Sequence, residues 1–249
     1  MPDGMVVAAT TIYFGTAVLL AVVGIAFVSL ALRESGDTRK LVFVGAVPAL
    51  SMATAYVFMG MEWVTVTTAG REQSIARFVG YSLVLAAAAY AVSELIRLSA
   101  RQFLGLTGVL LLTPWFALAS WLPDGGALES ALTAATLGSY VVGVYVLFGP
   151  VTRHAAGVSG ERRLTFAKLR NLFVLCWGAL IIQSAISAQA LGLTNLFVGQ
   201  IGASYTDLVF VIGIGGLIVS ARAVFENNVG RAAKTEENAG VKQPTGGDD

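Results

Sequence analysis

Charged side chains inside long apolar segments are the residues of this sequence most able to do chemistry. Asp207 is the only charged residue between Asn171 and Ala221, and Arg77 directly precedes another uncharged run. Ionisable groups at membrane depth are costly, so they are candidates for function. We predict either an ion pair between Asp207 and Arg77 or a neutral Asp207 that is hydrogen-bonded inside the protein. A proton or ion pathway across the membrane needs a chain of ionisable groups, and a single acid with a single base does not form such a chain.

Several other kinds of site are excluded by composition. The chain has a single cysteine, Cys176, and a single histidine, His154. We therefore expect no disulfide framework, no metal site and no catalytic triad, and no enzymatic activity. The 16 basic and 15 acidic residues nearly cancel, which argues against nucleic acid as a partner.

The elements that position Asp207 and Arg77 are predicted to be membrane-spanning helices. Hydrophobic residues make up 56% of the chain and charged residues only 12%, against about 25% charged in soluble domains. A span needs about 20 apolar residues, and continuous rather than alternating runs disfavour a β-barrel. The turn between the last two helices is expected at 192–195. The prediction is an all-α bundle of seven transmembrane helices at 10–32, 41–62, 76–97, 103–122, 129–151, 165–190 and 197–223.

The orientation of the bundle follows from its basic residues. With seven spans, Arg71 and Arg77 fall on one side, and the other lysines and arginines fall on the opposite side. Because cytoplasmic segments carry the excess of positive charge, we expect the N-terminus outside and the C-terminus in the cytoplasm. The predicted organisation is an extracellular N-terminus (1–9), a seven-helix membrane domain (10–225) and a disordered cytoplasmic tail (226–249). The expected location is the cell membrane, with multiple passes.

Local motifs in five of the helices give the chain a resemblance to a known family. Helix 7 reads Asp207-Leu-Val-Phe-Val211-Ile-Gly213-Ile-Gly215, and Trp177 follows the segment Leu169-Arg170-Asn171 in helix 6. Arg77 opens helix 3, Val47-Pro48-Ala49 lies in helix 2 and Tyr145–Gly149 ends helix 5. These segments resemble the microbial (type I) rhodopsins over about residues 10–225, in a bacteriorhodopsin-like seven-helix fold. The resemblance implies that Trp177 stands where the family has a tryptophan packed on retinal.

The same resemblance shows where the photochemical groups are replaced. The family binds retinal through a lysine four residues after the helix 7 aspartate, and here that position is Val211. The counterion position is Gly80 and the proton-donor position is Ala91. The four lysines are Lys40, Lys168, Lys234 and Lys242, all predicted in cytoplasmic loops, at a helix mouth or in the tail. Aromatic positions of the family's retinal pocket correspond to Leu132, Thr133, Leu180 and Ser184.

These substitutions favour a regulatory or interaction role over light-driven pumping. We predict an opsin-like protein that acts on another membrane protein, with the family offering two precedents: a two-helix transducer and a membrane carotenoid-pathway enzyme. Lipid is an expected partner and a homo-oligomer is possible; no covalent cofactor is expected. The alternatives are non-covalent binding of a polyene or isoprenoid in a roomy slot beside Trp177 and, less favoured, a retinal-dependent pump or photosensor. The candidate vestigial pocket comprises Arg77, Tyr81, Tyr140, Trp177 and Asp207.

Overall fold

The computed structural model describes residues 3–68, 71–187 and 190–223 and has the predicted seven-helix architecture. Each of the seven helices is long and apolar enough to cross a membrane, where only intra-helical hydrogen bonds can satisfy the backbone of an isolated segment. The fifth helix continues through a π-helical turn (Leu147–Val151) and a short helix (Thr152–Ala155). The seven helices are α1 (Asp3–Ala31), α2 (Gly36–Gly60), α3 (Ile75–Ile96), α4 (Ala100–Ser120), α5 (Gly126–Val146), α6 (Gly160–Ile186) and α7 (Leu196–Ser220).

Local chemistry explains several helix boundaries. Ser99 and Gln102 form a capping box at the start of α4, and the Asn195 side chain accepts a hydrogen bond from the Val198 amide at the start of α7. Such caps satisfy amide groups that a helix start leaves without partners. The π-helical turn after α5 contains Pro150, whose missing N–H disturbs the α-helical pattern.

Several helix ends and one connection differ from the sequence-based expectations. Helix α2 begins at Gly36 instead of residue 41, and α6 begins at Gly160 instead of residue 165. Helix α1 begins at Asp3 instead of residue 10, and α6 ends at Ile186 instead of residue 190. Gly192 has a φ of 67° in the connection that follows, within the predicted turn. A short antiparallel hairpin, β1 (Thr65–Thr68) and β2 (Arg71–Ser74), joins α2 to α3 and was not predicted. The predicted tail, 226–249, lies outside the described residues.

The most deeply buried helices are α2 and α3, and α7 packs against both. Gly45 in α2 faces Gly215 in α7 so closely that a Cβ added at Gly215 would lie 2.6 Å from the Gly45 carbonyl oxygen. We call the end of the bundle that carries the β-hairpin the hairpin end. Which side of the membrane this end faces stays a prediction.

Candidate functional site

Asp207, in the middle of α7, is the centre of a buried hydrogen-bonded cluster. Its side chain is fully buried. The Tyr56 hydroxyl donates to Oδ2 at 2.6 Å, and the Tyr81 hydroxyl donates to Oδ1 at 2.6 Å. Arg77 Nη2 donates to Oδ2 at 2.7 Å. Three donors therefore hold both oxygens of one carboxylate.

The donors come from two neighbouring helices. Arg77 lies in the first turn of α3, and Tyr81 follows one turn later on the same face, as residues four apart do. Arg77 Nε also donates to the Tyr81 hydroxyl at 3.0 Å, and its guanidinium lies 5.5 Å from the centre of that ring. Tyr56 reaches the same carboxylate from α2. The side chain of Arg77 is 24% exposed, so the pair lies in a largely dry environment.

Aromatic rings pack beneath this cluster. Trp177 meets Tyr81 edge-on at 5.3 Å between ring centres. Phe173 stacks on Trp177 at 6.0 Å, and Phe210 packs on Trp177 at 5.8 Å. Phe173, Trp177 and Phe210 are all buried, so the rings fill the centre of the bundle with apolar surface.

The three positions where the resemblance places the retinal lysine, the counterion and the proton donor are tightly packed. Val211, one turn after Asp207, is fully buried. A Cβ added at Gly80 would lie 2.7 Å from Met52 Sδ and 3.2 Å from the Ala55 Cβ, a spacing that forces neighbours to move. Ala91 is also fully buried.

The structure brings together four of the five candidate pocket residues, and Tyr140 is the exception. Its hydroxyl donates to the Val174 carbonyl at 2.9 Å, and its ring lies against Gly178, where a Cβ would come within 2.7 Å of that hydroxyl. Tyr140 therefore braces α5 against α6 and takes no part in the Asp207 cluster. Tyr56 was not identified from the sequence. Its hydroxyl makes a hydrogen bond to Asp207, which Tyr140 does not make.

A cavity of about 710 Å³ extends from the hairpin end to Tyr81 and Trp177. Leu180, Ser184 and Thr133 are among its lining residues, and the motif comparison predicted that these positions had lost aromatic side chains. Val211 does not line the cavity. The described residues contain no group of three or more His, Cys, Asp or Glu able to hold a metal ion.

Comparisons with known proteins agree on one fold. No family model matches the chain. Sensory rhodopsin-2 of Natronomonas pharaonis is 28% identical over 238 residues, which cover 93% of this chain and 95% of that protein. Thermophilic rhodopsin of Rubrobacter xylanophilus superposes with a TM-score of 0.79 at 18% identity, covering 86% of this chain and 96% of that one. The light-driven proton pump LR (Mac) of Leptosphaeria maculans gives a TM-score of 0.80 at 13% identity, with 91% and 97% covered.

Proposed function

We propose that this chain, which belongs to the microbial (type I) rhodopsin family and is a multi-pass membrane protein, performs no retinal photochemistry and acts by contact with another membrane protein. The proposal has two parts. The first concerns the buried centre, where the covalent chemistry of a retinal protein would take place. The second concerns the outer face of α7.

The first part rests on the residues available for a Schiff base. A lysine that forms one must lie in a desolvated pocket, and the corresponding position is taken by Val211, which is fully buried. Of the lysines in the described ranges, Lys40 is 72% exposed at its side chain and pairs with Asp37 at 2.9 Å. Lys168 is also exposed. Neither lysine can reach the centre of the bundle.

The state of Asp207 supports the same conclusion. Its carboxylate already accepts hydrogen bonds from Tyr56, Tyr81 and Arg77. A second acceptor at Gly80 has no space, because Met52 occupies the volume that a side chain there would need. We infer that the cluster stabilises the bundle and does not exchange protons with a chromophore.

The second part rests mainly on Tyr205, which projects outward from α7 and is 67% exposed. At 1.5 Å per residue, it lies about 14 Å along the helix from Leu196, close to the depth of Asp207 and near the middle of a hydrocarbon layer about 30 Å thick. Its phenol has no hydrogen-bond partner within the described part of the chain. A hydroxyl placed in hydrocarbon without a partner costs roughly 2–7 kcal/mol. A neighbouring helix with a polar side chain at this depth would remove that cost.

The residues around Tyr205 form a continuous apolar stripe. Val198, Ile201 and Val209 are 52%, 43% and 40% exposed and follow it at helical spacing. Gly216 continues the stripe, and a Cβ added there would meet nothing within 4 Å. A glycine on an open face allows a second helix to approach closely.

Three other glycines of α7 do not add to this surface. A Cβ at Gly202 would collide with Gln183, at Gly213 with Leu172, and at Gly215 with the backbone of α2. These three glycines therefore serve packing inside the bundle. The proposed contact surface is the α7 stripe of Val198, Ile201, Tyr205, Val209 and Gly216.

Photo-cross-linking in native membranes tests the contact. A benzophenone amino acid at position 205 should give a discrete protein adduct. The matched control is Tyr145, which is 65% exposed on α5 and lies one turn from Phe148, whose ring packs 3.9 Å from the Arg170 guanidinium. That setting is typical of the membrane interface, so position 145 should give no discrete adduct.

A second variant tests whether the partner contacts the α7 stripe itself. Gly216→Leu fits the fold because the space beside Gly216 is open, and it should abolish the adduct at position 205 by blocking close approach. An adduct of twice the mass of the chain would identify a second copy as the partner. Identical adduct patterns at 205 and 145, or an adduct that persists in Gly216→Leu, would contradict the proposed contact.

A further inference from the structure

We propose that the cavity at the hairpin end binds a neutral, largely apolar molecule that carries a hydroxyl group, without a covalent bond. This inference goes beyond the proposed function and does not depend on it. The contact surface lies on the outer face of α7, whereas the cavity lies inside the bundle. One can therefore fail while the other holds.

The first argument is the placement of unpaired polar atoms. Within the described ranges, four buried side-chain atoms have no hydrogen-bond partner: Ser74 Oγ, Trp177 Nε1, Gln183 Oε1 and Ser187 Oγ. All four residues line this one cavity. Buried polar groups in folded proteins are nearly always paired. Four exceptions around a single space indicate that a hydrogen-bonding guest belongs there.

The types of these atoms select the polar group of the guest. The oxygen of Gln183 accepts only, so the guest must offer an O–H or N–H donor. Ser187, the residue that caps the end of α6, lies about one turn beyond Gln183, and its hydroxyl both donates and accepts. A hydroxyl group on a guest that lies between the two side chains can donate to Gln183 and accept from Ser187. An aldehyde, ketone or hydrocarbon cannot donate to Gln183.

The walls of the cavity select the body of the guest. Apolar surface comes from Pro114, Ala117, Leu137, Leu180 and Ile181. About 710 Å³ falls within the range of 300–1,000 Å³ that is usual for small-molecule sites. Trp177 lies six residues before Gln183 on α6, about 9 Å deeper at 1.5 Å per residue, so a guest that reaches both residues extends along α6.

The charged residues of the cavity exclude an anionic guest. Glu62, Glu72 and Glu129 line the cavity together with Arg77. The charge of Arg77 is already taken up by Asp207 at 2.7 Å. A carboxylate head group has no proton to donate to Gln183, and it would also meet the carboxylates of Glu62 and Glu72 in the cavity wall.

The test is equilibrium binding to the full chain in lipid nanodiscs, with retinol as the probe. Retinoic acid supplies the anionic arm, and the corresponding hydrocarbon without oxygen supplies the apolar arm. We expect saturable binding of one retinol per chain, at least 10-fold tighter than either comparison compound. Equal affinity for the three compounds, or no saturation by retinol, would overturn the proposal and leave water as the occupant of the cavity.

Two variants test the assigned positions. Gln183→Leu should reduce the preference for retinol over the hydrocarbon about 10-fold while hydrocarbon binding is kept. Leu180→Trp should fill the cavity and abolish retinol binding. The matched control is Ile182→Trp on the same helix, because Ile182 is 63% exposed on the outer face. This variant should bind retinol as tightly as the unmodified chain does. Undiminished binding by Leu180→Trp, or an unchanged preference in Gln183→Leu, would place the retinol elsewhere and refute the site.

Discussion

Removing either member of the buried Arg77–Asp207 pair should be strongly destabilising. Asp207 is fully buried and Arg77 is 24% exposed at its side chain. Breaking a buried pair by removing one partner costs about 3–5 kcal/mol, because the other charge stays desolvated. We expect Asp207→Asn to fall within this range. Arg77→Gln should fall at its lower end, because Arg77 keeps some access to water.

The tyrosine donors give a second, smaller effect. A hydrogen bond to a charged group contributes about 1.5–3 kcal/mol. Tyr56→Phe and Tyr81→Phe each remove one 2.6 Å bond to Asp207. Each should therefore cost about 1.5–3 kcal/mol in the presence of Asp207. The cost should become much smaller in an Asp207→Asn background, because the charge that strengthens the bond is gone.

A double-mutant cycle measured by unfolding in mixed micelles tests this coupling. The Arg77→Gln, Asp207→Asn double variant should be destabilised by clearly less than the sum of the two single variants. The matched control is the exposed pair of Lys40 with Asp37, whose side chains are 72% and 92% exposed. Asp37→Asn should leave the free energy of unfolding nearly unchanged, because water screens an exposed pair. Small, additive effects at Arg77 and Asp207 would refute the role of the cluster in stability.

Four further substitutions have defined outcomes. Gly215→Ala should destabilise the bundle strongly, since its Cβ would lie 2.6 Å from a carbonyl oxygen of α2. Gly216→Ala has open space around it and should leave the unfolding temperature unchanged or higher. Equal effects of the two variants on the unfolding temperature would contradict this packing. Gly80→Ala should cost about 1–3 kcal/mol because the core around Met52 is already filled, and an unchanged unfolding temperature would show that the core can relax. Val211→Lys, given retinal in lipid vesicles, should move no protons in light, since Gly80 supplies no acceptor; a light-driven pH change would contradict this reasoning.

Much of the fold could be predicted from the sequence because hydrocarbon excludes charge. The uncharged runs mark the spans almost directly, and the seven helices follow from them. The ends are less certain, as α1 and α6 show, because helix termini depend on local caps and contacts. The hairpin at 65–74 was missed although Thr65-Val66-Thr67-Thr68 is rich in β-branched residues, which favour strands. The elements were predicted from the length of apolar runs, and a four-residue strand is too short to be found in that way.

The candidate site was predictable only in part, for a geometric reason. Asp207 and Arg77 stand out because they are charged within or beside apolar runs. Tyr56 and Tyr140 are both tyrosines in the uncharged parts of their helices, and only the rotation of each helix decides which one reaches Asp207. Tyr56 faces the carboxylate from α2, whereas Tyr140 faces the backbone of α6. Helix rotation is set by packing among all seven helices and cannot be read from one local pattern.

The most direct test of the central claim is reduction of the retinal-treated protein with borohydride, followed by mass spectrometry. Val211 is fully buried and Lys40 and Lys168 are exposed, so we predict no stoichiometric, red-shifted pigment and no stoichiometric retinyl adduct within the seven-helix core. Slow partial labelling of exposed amines is compatible with this expectation. A stoichiometric retinyl adduct within the seven-helix core would contradict the proposal that this opsin-like protein performs no retinal photochemistry.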